Sequence, residues 1–259
     1  MTAGEVAAYV ESLVERPGPE DRFLWGDAGQ ECTGVLVTWM ATLEAIAEAA
    51  TSGCNLIICH ESLHFPYEHI NPGLEHYTTW TVNRLRLTAL AKQDLVVYRS
   101  HNTLDRFCIL RDFTDLLGLT EQIYSSDNPY YLQVFAIPPC TLGDLAEEVK
   151  RRVGMPVIRV AGDPKQLVSK VACPWGGVGL SLNMSAIEAM IAAGADVLIA
   201  GECDEYAMRY ALDAGVPMIE TSHAGSENPG LKHFAEHLSR TFPDLNVVYH
   251  EVPGAWTCR

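Results

Sequence analysis

Short apolar runs alternate with amphipathic helical patterns along almost the whole chain, and this alternation constrains the fold more than any other feature. The predicted strands of the first half are TGVLVTW, NLIIC and DLVVYRS, and those of the second half are YYLQVFAI, PVIRVAG, VSKVACP, ADVLIAG and VPMIETS. Helical patterns lie between most of them, for example TLEAIAEAATSG, which Gly53 closes. Strands that alternate with helices predict an α/β fold with mixed, largely parallel sheets flanked by helices.

Six further segments have helical patterns. They are LEHYTTWTVNRLRLTALAKQ, DRFCILRDFTDLLGL, TLGDLAEEVKRRVG, MSAIEAMIAAG, ECDEYAMRYALDAG and PGLKHFAEHLSRTF. In the last of these, Asn228 is the predicted N-cap and Pro229 the predicted first helical residue, because proline is favoured at that position. The chain length suits one α/β domain over 1–259 made of two lobes, at about 1–125 and 126–259. The segment SSDNPYY, from Ser125 to Tyr131, is the predicted linker.

Charge and composition exclude several classes of protein. A formal net charge of −15 argues against nucleic acid as a partner, because phosphate backbones attract basic surfaces. No apolar run approaches the roughly 20 residues of a membrane-spanning helix, and the acidic start of the chain lacks a signal peptide's basic region. The eight cysteines form no C-x-x-C pair and are expected to be reduced thiols. We therefore expect a cytoplasmic protein without a membrane partner.

Polar side chains suited to metal binding follow three of the predicted strands. Each of these strand ends carries a histidine and a carboxylate: His60 with Glu61, His101 with Asp105, and His223 with Glu227. Ligands of such sheets bind at the carboxyl ends of strands, and imidazole combined with carboxylate suits divalent transition metals. A single loop histidine is usually solvated, but three such pairs at corresponding positions indicate a metal site.

Several sequence blocks occur in an order that resembles a known family. The blocks are VLVTWMATLEAIAEA followed by LIICHESLHF, then VVYRSHNTLD, GADVLIAGE and GVPMIETSHAGSENPGL. They resemble the NIF-three-like family, also called GTP cyclohydrolase I type 2 homologues, from about Trp25 to Phe242. The resemblance implies a two-lobed NIF-three-like fold whose lobes share one metal-site cleft with a dinuclear centre. It also implies a homo-oligomer, a ring-like hexamer built from dimers.

The resemblance assigns site residues position by position. One metal would be held by His60, Asp105 and Glu227, and the other by Glu61, His223 and a shared Glu227. His101 would lie in or beside the site as a supporting or substrate-contacting group. The expected cofactors are two divalent metal ions per chain, Mn, Fe or Zn.

This chain departs from the family pattern near the predicted site. Glu61 stands in place of the second histidine of the family pair, Ser62 replaces a proline, and Met40 occupies the position of an acidic residue. The segment GECDEYA also lacks the histidines usual in the family. An additional ionised carboxylate at Glu61 lowers the net charge of a metal pair, which weakens its Lewis acidity and favours harder ions such as Mn²⁺ or Fe²⁺. In the alternative interpretation, one metal binds and Glu61 is a general base beside it.

These residues predict a metal-dependent hydrolase that acts on a small molecule through a metal-activated water. The expected substrate is a nucleotide-like heterocycle, an amide or another compound with a C–N bond, and Glu61 and His101 are the candidate catalytic residues. Opening of the GTP ring is implied by the resemblance alone. The alternative from another class is a non-catalytic, metal-binding hexameric scaffold or regulatory protein.

Three other motifs have a structural explanation that we favour. HFAEH, from His233 to His237, matches a metalloprotease pattern but places both histidines toward the polar side of a helix. ACPWGGVGLS lacks the spacing and the lysine of a phosphate-binding loop, which favours a structural turn. Trp39 and Trp175 are expected to pack rather than to stack on a ligand, and His64 is a candidate auxiliary group.

Overall fold

A computed structural model of the chain describes residues 1–67, 73–126 and 131–256. The chain divides into two compact units: Met1–Ile109 with Gly230–Val252, and Leu110–Pro229 with Pro253–Arg259. The predicted lobes instead divide the chain once, between 125 and 126. The predicted linker SSDNPYY falls in part outside the described residues, at 127–130, whereas its first two serines belong to a strand.

The elements of the described residues follow one another in this order. The strands are β1 (Arg22–Trp25), β2 (Gly34–Thr38), β3 (Leu56–Cys59), β4 (Val96–Arg99), β5 (Glu121–Ser126), β6 (Leu132–Thr141), β7 (Arg159–Ala161), β8 (Leu167–Ala172), β9 (Val197–Ala200), β10 (Met218–Glu220) and β11 (Asn246–His250). The α-helices are α1 (Ala3–Glu11), α2 (Leu43–Ser52), α3 (Thr81–Lys92), α4 (Asn102–Leu104), α5 (Leu110–Leu116), α6 (Leu142–Val153), α7 (Met184–Ala192), α8 (Glu205–Asp213) and α9 (His223–Thr241).

The first unit contains a five-stranded sheet with the order β1-β4-β3-β2-β11. Its strands β11, β2, β3 and β4 are parallel, and β1 is antiparallel to β4. Every residue of β2, β3 and β4 is buried, as expected for central parallel strands with side chains packed on both faces. The register pairs Cys59 at the end of β3 with Arg99 at the end of β4, so the residues that follow them lie side by side.

The second unit contains a six-stranded sheet with the order β5-β6-β8-β9-β10-β7. Strands β8, β9 and β10 are parallel, and antiparallel pairs add β6 and β5 on one side and β7 on the other. Residues of β6, β9 and β10 pack with α7 and α8 in one hydrophobic core. The predicted α/β fold with mixed sheets and flanking helices is confirmed.

Three predicted helices have different boundaries in the structure. The helix predicted from Leu74 begins at Thr81, because Trp80 is extended, and a 3₁₀ turn at Leu74–Tyr77 precedes it. The helix predicted from Asp105 begins with a π-helical segment, Asp105–Ile109, before α5. The prediction that the last helix begins at Pro229 is wrong: α9 begins at His223 and contains Pro229. Proline lacks one backbone donor, but the surrounding helix tolerates this loss.

Three strands that the sequence did not predict, β1, β5 and β11, lie at sheet edges. Strands β1 and β11 are the edges of the first sheet and β5 is an edge of the second. All six residues of β5 are exposed or half-buried, so it lacks the apolar run that identifies a central strand. Within the described residues, no helix combines the length and the apolar composition that a bilayer crossing requires.

Candidate metal centre

The carboxyl ends of two adjacent parallel strands bring together the polar residues of the first unit. His60 and Glu61 follow β3, and His101 follows β4 after one residue. The backbone of β2's carboxyl end fixes this loop, because the Glu61 N–H donates to the Trp39 carbonyl at 2.7 Å. The strand register thus places the first two predicted pairs at one edge of one sheet.

The His60 imidazole is fully buried and has a defined tautomer. Its Nδ1 lies 3.1 Å from the Ser100 carbonyl oxygen, which can only accept a hydrogen bond. Nδ1 therefore carries a proton, and in the neutral ring Nε2 bears the lone pair. This Nε2 lies 3.7 Å from Asp105 Oδ1. A histidine held in this way presents a ligating nitrogen toward a carboxylate.

Glu20 and Asp21 hold His101 beside His60. The His101 Nδ1 lies 2.8 Å from Glu20 Oε2, which places Nε2 at 3.8 Å from Glu61 Oε1. Asp21 accepts the backbone N–H of His101 at 2.6 Å, which fixes the start of the helical turn that follows. The His60 and His101 rings stack with their centroids 4.4 Å apart.

Asp105 completes a group of three candidate ligands. It lies four residues after His101, so both side chains are on the same face of the helical turn. His60, His101 and Asp105 each offer one ligand atom, and these atoms lie within 4.8 Å of one another. Two imidazole nitrogens and one carboxylate are donors that Zn, Fe and Mn accept. The three residues therefore fit a divalent metal.

The buried Arg99 contacts residues that position His60 and His101. The side chain of Arg99 is fully buried, and its Nε donates to the His60 carbonyl at 3.1 Å. Its Nη2 lies 3.4 Å from Glu20 Oε2 and also donates to the Tyr67 hydroxyl. Burial alone would lower the pKa of Arg99, but Tyr67, Glu20 and Glu61 outweigh it and raise that pKa. Arg99 therefore stays charged and orients Glu20, which in turn orients His101.

The second unit presents a similar arrangement on α9. His223 and Glu227 are one turn apart in the helix, with His223 Nε2 at 3.4 Å from Glu227 Oε1. The His223 Nδ1 lies 3.0 Å from Glu202 Oε2, which follows β9. Glu227 is buried and Glu202 is partly exposed. The second unit thus supplies one oriented imidazole nitrogen and one buried carboxylate.

The glycine-rich segment after β8 lies directly against these two side chains. Gly176 has a positive φ of 51°, and a Cβ added there would overlap Glu227 and approach His223 Nε2 at 3.2 Å. Its N–H donates to Ser226 Oγ at 2.9 Å. The segment Gly176–Gly179 is a 3₁₀ turn. Glycine is therefore required here so that the backbone can approach the Glu227 carboxylate closely.

The structure brings the predicted residues together within each unit. His60, Glu61, His101 and Asp105 lie together in the first unit, and His223 and Glu227 lie together in the second. That both sets serve one dinuclear centre, as the family resemblance implies, stays a prediction. Sequence reasoning missed Glu20, Arg99 and Glu202, because hydrogen-bond partners so distant in sequence have no local signal.

The motifs that we assigned to structural roles have packing or hydrogen-bond partners. His237 Nε2 lies 2.7 Å from the Tyr9 hydroxyl, and Phe107 contacts both His233 and His237. Trp175 is buried, with its ring centroid 6.5 Å from that of Tyr131. These contacts explain the side chains without a ligand.

The fold and the first-unit residues define a class: α/β proteins in which buried histidines and carboxylates at strand ends could hold divalent metals. The sequence profile of the Duf34/NIF3 (NGG1p interacting factor 3) family matches residues 22–253. The chain belongs to this family.

Known proteins agree with this assignment. A GTP cyclohydrolase 1 type 2 homolog of Lactococcus lactis is 30% identical over 230 residues, which cover 87% of this chain and 84% of that protein. The crystal structure of a Staphylococcus aureus protein has a TM-score of 0.79 at 20% identity and covers 100% of this chain and 99% of that one. A Bacillus cereus protein related to NIF3 also has a TM-score of 0.79, at 16% identity, with 100% and 99% coverage. At these identities the structures establish the fold alone.

Proposed function

We propose that this protein is a divalent-metal-dependent hydrolase that acts on a small molecule. The observation that carries the proposal is the convergence of His60, His101 and Asp105, whose ligand atoms lie within 4.8 Å of one another. A group of buried and half-buried polar side chains with fixed orientation is costly to maintain and typical of functional sites. The Ser100 carbonyl orients the His60 imidazole as such partners do around a metal, and Glu20 Oε2 lies 2.8 Å from His101 Nδ1.

Each residue of the first unit has a proposed role. The metal would be held by His60 Nε2, a ring nitrogen of His101 and an oxygen of Asp105, and it would supply Lewis acidity and a water of lowered pKa. Glu61 is 5% exposed, with Oε1 3.8 Å from His101 Nε2. From there it either ligates or accepts a proton from the reacting water. His223 and Glu227 are the proposed ligands of a second metal, which would be Mn, Fe or Zn like the first.

Two arguments support the proposed substrate class: the chemistry of the candidate site and the name of a related protein. A carboxylate base and a divalent metal together suit hydrolysis of an amide, a nucleotide-like heterocycle or another C–N bond. The Lactococcus lactis relative is named as a GTP cyclohydrolase 1 type 2 homolog, which supports a heterocyclic substrate. We propose the reaction class and leave GTP as one substrate to be assayed.

Hydrolysis of a panel of nucleotides, cyclic amides and linear amides tests the proposal. We expect one class to be hydrolysed, the activity to disappear after chelation, and Mn²⁺, Fe²⁺ or Zn²⁺ to restore it. Asp105→Asn should lower turnover at least 100-fold, because an amide is a poor metal ligand. Turnover that survives both chelation and Asp105→Asn would contradict the proposal, as would no turnover of any panel member by metal-loaded protein.

A further inference from the structure

Arg86 is a buried cation to which the described residues supply no ion-paired carboxylate. It lies on α3, its side chain packs below the loop after β3, and the residue is 6% exposed. Among the described residues, no carboxylate oxygen forms an ion pair with its guanidinium within 4.0 Å. Buried arginines are normally paired, because an uncompensated charge in a protein interior is costly.

The hydrogen bonds of Arg86 leave much of its donor capacity unused. A guanidinium has five N–H donors. Nη1 donates to the Leu63 carbonyl at 2.8 Å, and Nη2 reaches only the weak acceptor Met40 Sδ, at 3.3 Å. The buried Nε has no hydrogen-bond partner among the described residues. The guanidinium carbon lies 4.9 Å from the centroid of the Phe65 ring.

The described groups near Arg86 do not neutralise its charge. The nearby Glu44 carboxylate is exposed at the start of α2 and makes no ion pair with Arg86. The buried Cys59 thiol donates to the Glu61 carbonyl at 3.3 Å, so it supplies no anion to Arg86. Burial lowers the pKa of Arg86 itself, but an arginine guanidinium remains protonated at physiological pH.

Both segments that Arg86 contacts adjoin the candidate metal ligands. Leu63 is two residues beyond Glu61. Met40 follows Trp39, whose carbonyl accepts the N–H groups of both His60 and Glu61, at 3.1 and 2.7 Å. Met40 is half-buried, and Phe65 is 41% exposed, so the side chains that cover the guanidinium border on solvent.

We infer that Arg86 is an anion-recognition group that binds a carboxylate or phosphate group of the substrate beside the candidate metal centre. A planar guanidinium with unused donors matches such an oxyanion with two parallel hydrogen bonds. That the bound anion is part of a substrate rests on the proposed hydrolase function, but oxyanion binding by Arg86 can be measured without turnover. The two proposals can therefore fail separately.

Met40 provides the sharpest test, because it can be changed without touching a candidate ligand. Met40→Glu places a carboxylate of similar length against Arg86 and supplies the missing counter-ion, whereas Met40→Gln matches its shape without the charge. The probes are inorganic phosphate and acetate, titrated calorimetrically into metal-loaded protein. The wild type and Met40→Gln should bind at least one probe, and Met40→Glu should bind it about 10-fold more weakly or not at all. The stronger probe identifies the oxyanion.

Arg86→Lys is the complementary variant, because it keeps the charge and loses the planar fork. It should weaken binding of the same probe several-fold, and circular dichroism checks that it folds. Equal binding by Met40→Glu and Met40→Gln would show that the anion binds elsewhere, for example at the metal, and would overturn the inference. So would the absence of binding of both probes to the wild type. Metal content and turnover, measured on the same preparations, test the proposed function independently.

Discussion

At the scale of single residues, the candidate site is defined by how its histidines are held. His60 and His223 direct Nδ1 to hydrogen-bond partners, the Ser100 carbonyl and Glu202, and His101 Nδ1 lies 2.8 Å from Glu20 Oε2. The same arrangement occurs in both units, and in each case it leaves Nε2 facing a carboxylate. Such partners fix the tautomer and the ring orientation of a ligating histidine.

The buried Glu61 carboxylate lies where it can act either as a metal ligand or as a general base. We expect Glu61→Gln to weaken binding of one metal about 10-fold or more, because an amide oxygen is a poorer ligand than a carboxylate. Glu61→His should preserve metal content, since imidazole is a good ligand for the same ions. Metal content by mass spectrometry and turnover should be measured on the same preparation.

Two other outcomes for Glu61→Gln have clear meanings. Full metal content with lost turnover would contradict the ligand role and establish Glu61 as the general base. Unchanged metal content and unchanged turnover would exclude both roles. Glu61→His serves as the matched comparison, because it restores a ligand without restoring a carboxylate base.

Glu20 is expected to control metal affinity without contacting the metal. Glu20→Ala removes the acceptor 2.8 Å from His101 Nδ1 and should weaken metal binding about 10- to 100-fold. Glu20→Gln should restore part of the affinity, because its amide keeps a polar oxygen beside His101 Nδ1. Competition with a fluorescent chelator measures the change. Replacement of the exposed Glu15 by alanine is the control, and an equal loss there would refute a specific role for Glu20.

At the scale of elements, adjacent parallel strands explain why distant residues meet. The strands β3 and β4 pair from Leu56 with Val96 to Cys59 with Arg99, so their following loops share one edge. In the second unit, β8, β9 and β10 likewise lead to Gly176, Glu202 and His223. The start of α9 at His223 adds Glu227 one turn later.

Much of this arrangement could be predicted from the sequence. Buried strands such as NLIIC have unbroken apolar runs, and the histidines and carboxylates that follow them are visible in the chain. Polar edge strands such as β5 have no such signal. The predicted start of α9 is wrong because Asn228-Pro229 has the chemistry of a helix start, whereas the helix begins at His223. Residues such as Glu20, which lies far from His101 in sequence, meet their partners only after folding, so no local sequence pattern predicts the contact.

Gly176 allows the turn after β8 to approach the α9 carboxylate, and its replacement tests that contact. Gly176→Ala should destabilise the protein by about 1 kcal/mol for its positive φ and by a further 1–3 kcal/mol, roughly, for overlap with Glu227. Gly154→Ala is the matched control, because Gly154 has a φ of 69° but no atom within 4 Å of an added Cβ. Urea unfolding gives both values, and equal losses would show that the contact with Glu227 is unimportant.

At the scale of the whole molecule, we expect self-assembly to a hexamer. Both units expose large apolar side chains, including Trp80, Leu85, Leu167, Leu182 and Tyr206, which support contacts between copies of the chain. Light scattering at micromolar concentration should give six times the monomer mass of 28.5 kDa. A mass close to that of the monomer would refute the expectation.

The central claim is that the first-unit residues His60, His101 and Asp105 hold a divalent metal. The most direct test is the metal content per chain of wild type and Asp105→Ala, purified without chelator and then equilibrated with Mn²⁺ or Zn²⁺. Wild type should retain at least one metal per chain, and Asp105→Ala, with unchanged circular dichroism, should retain at least one fewer. A wild type that binds no stoichiometric metal under these conditions, or an Asp105→Ala variant with the same metal content, would contradict the claim.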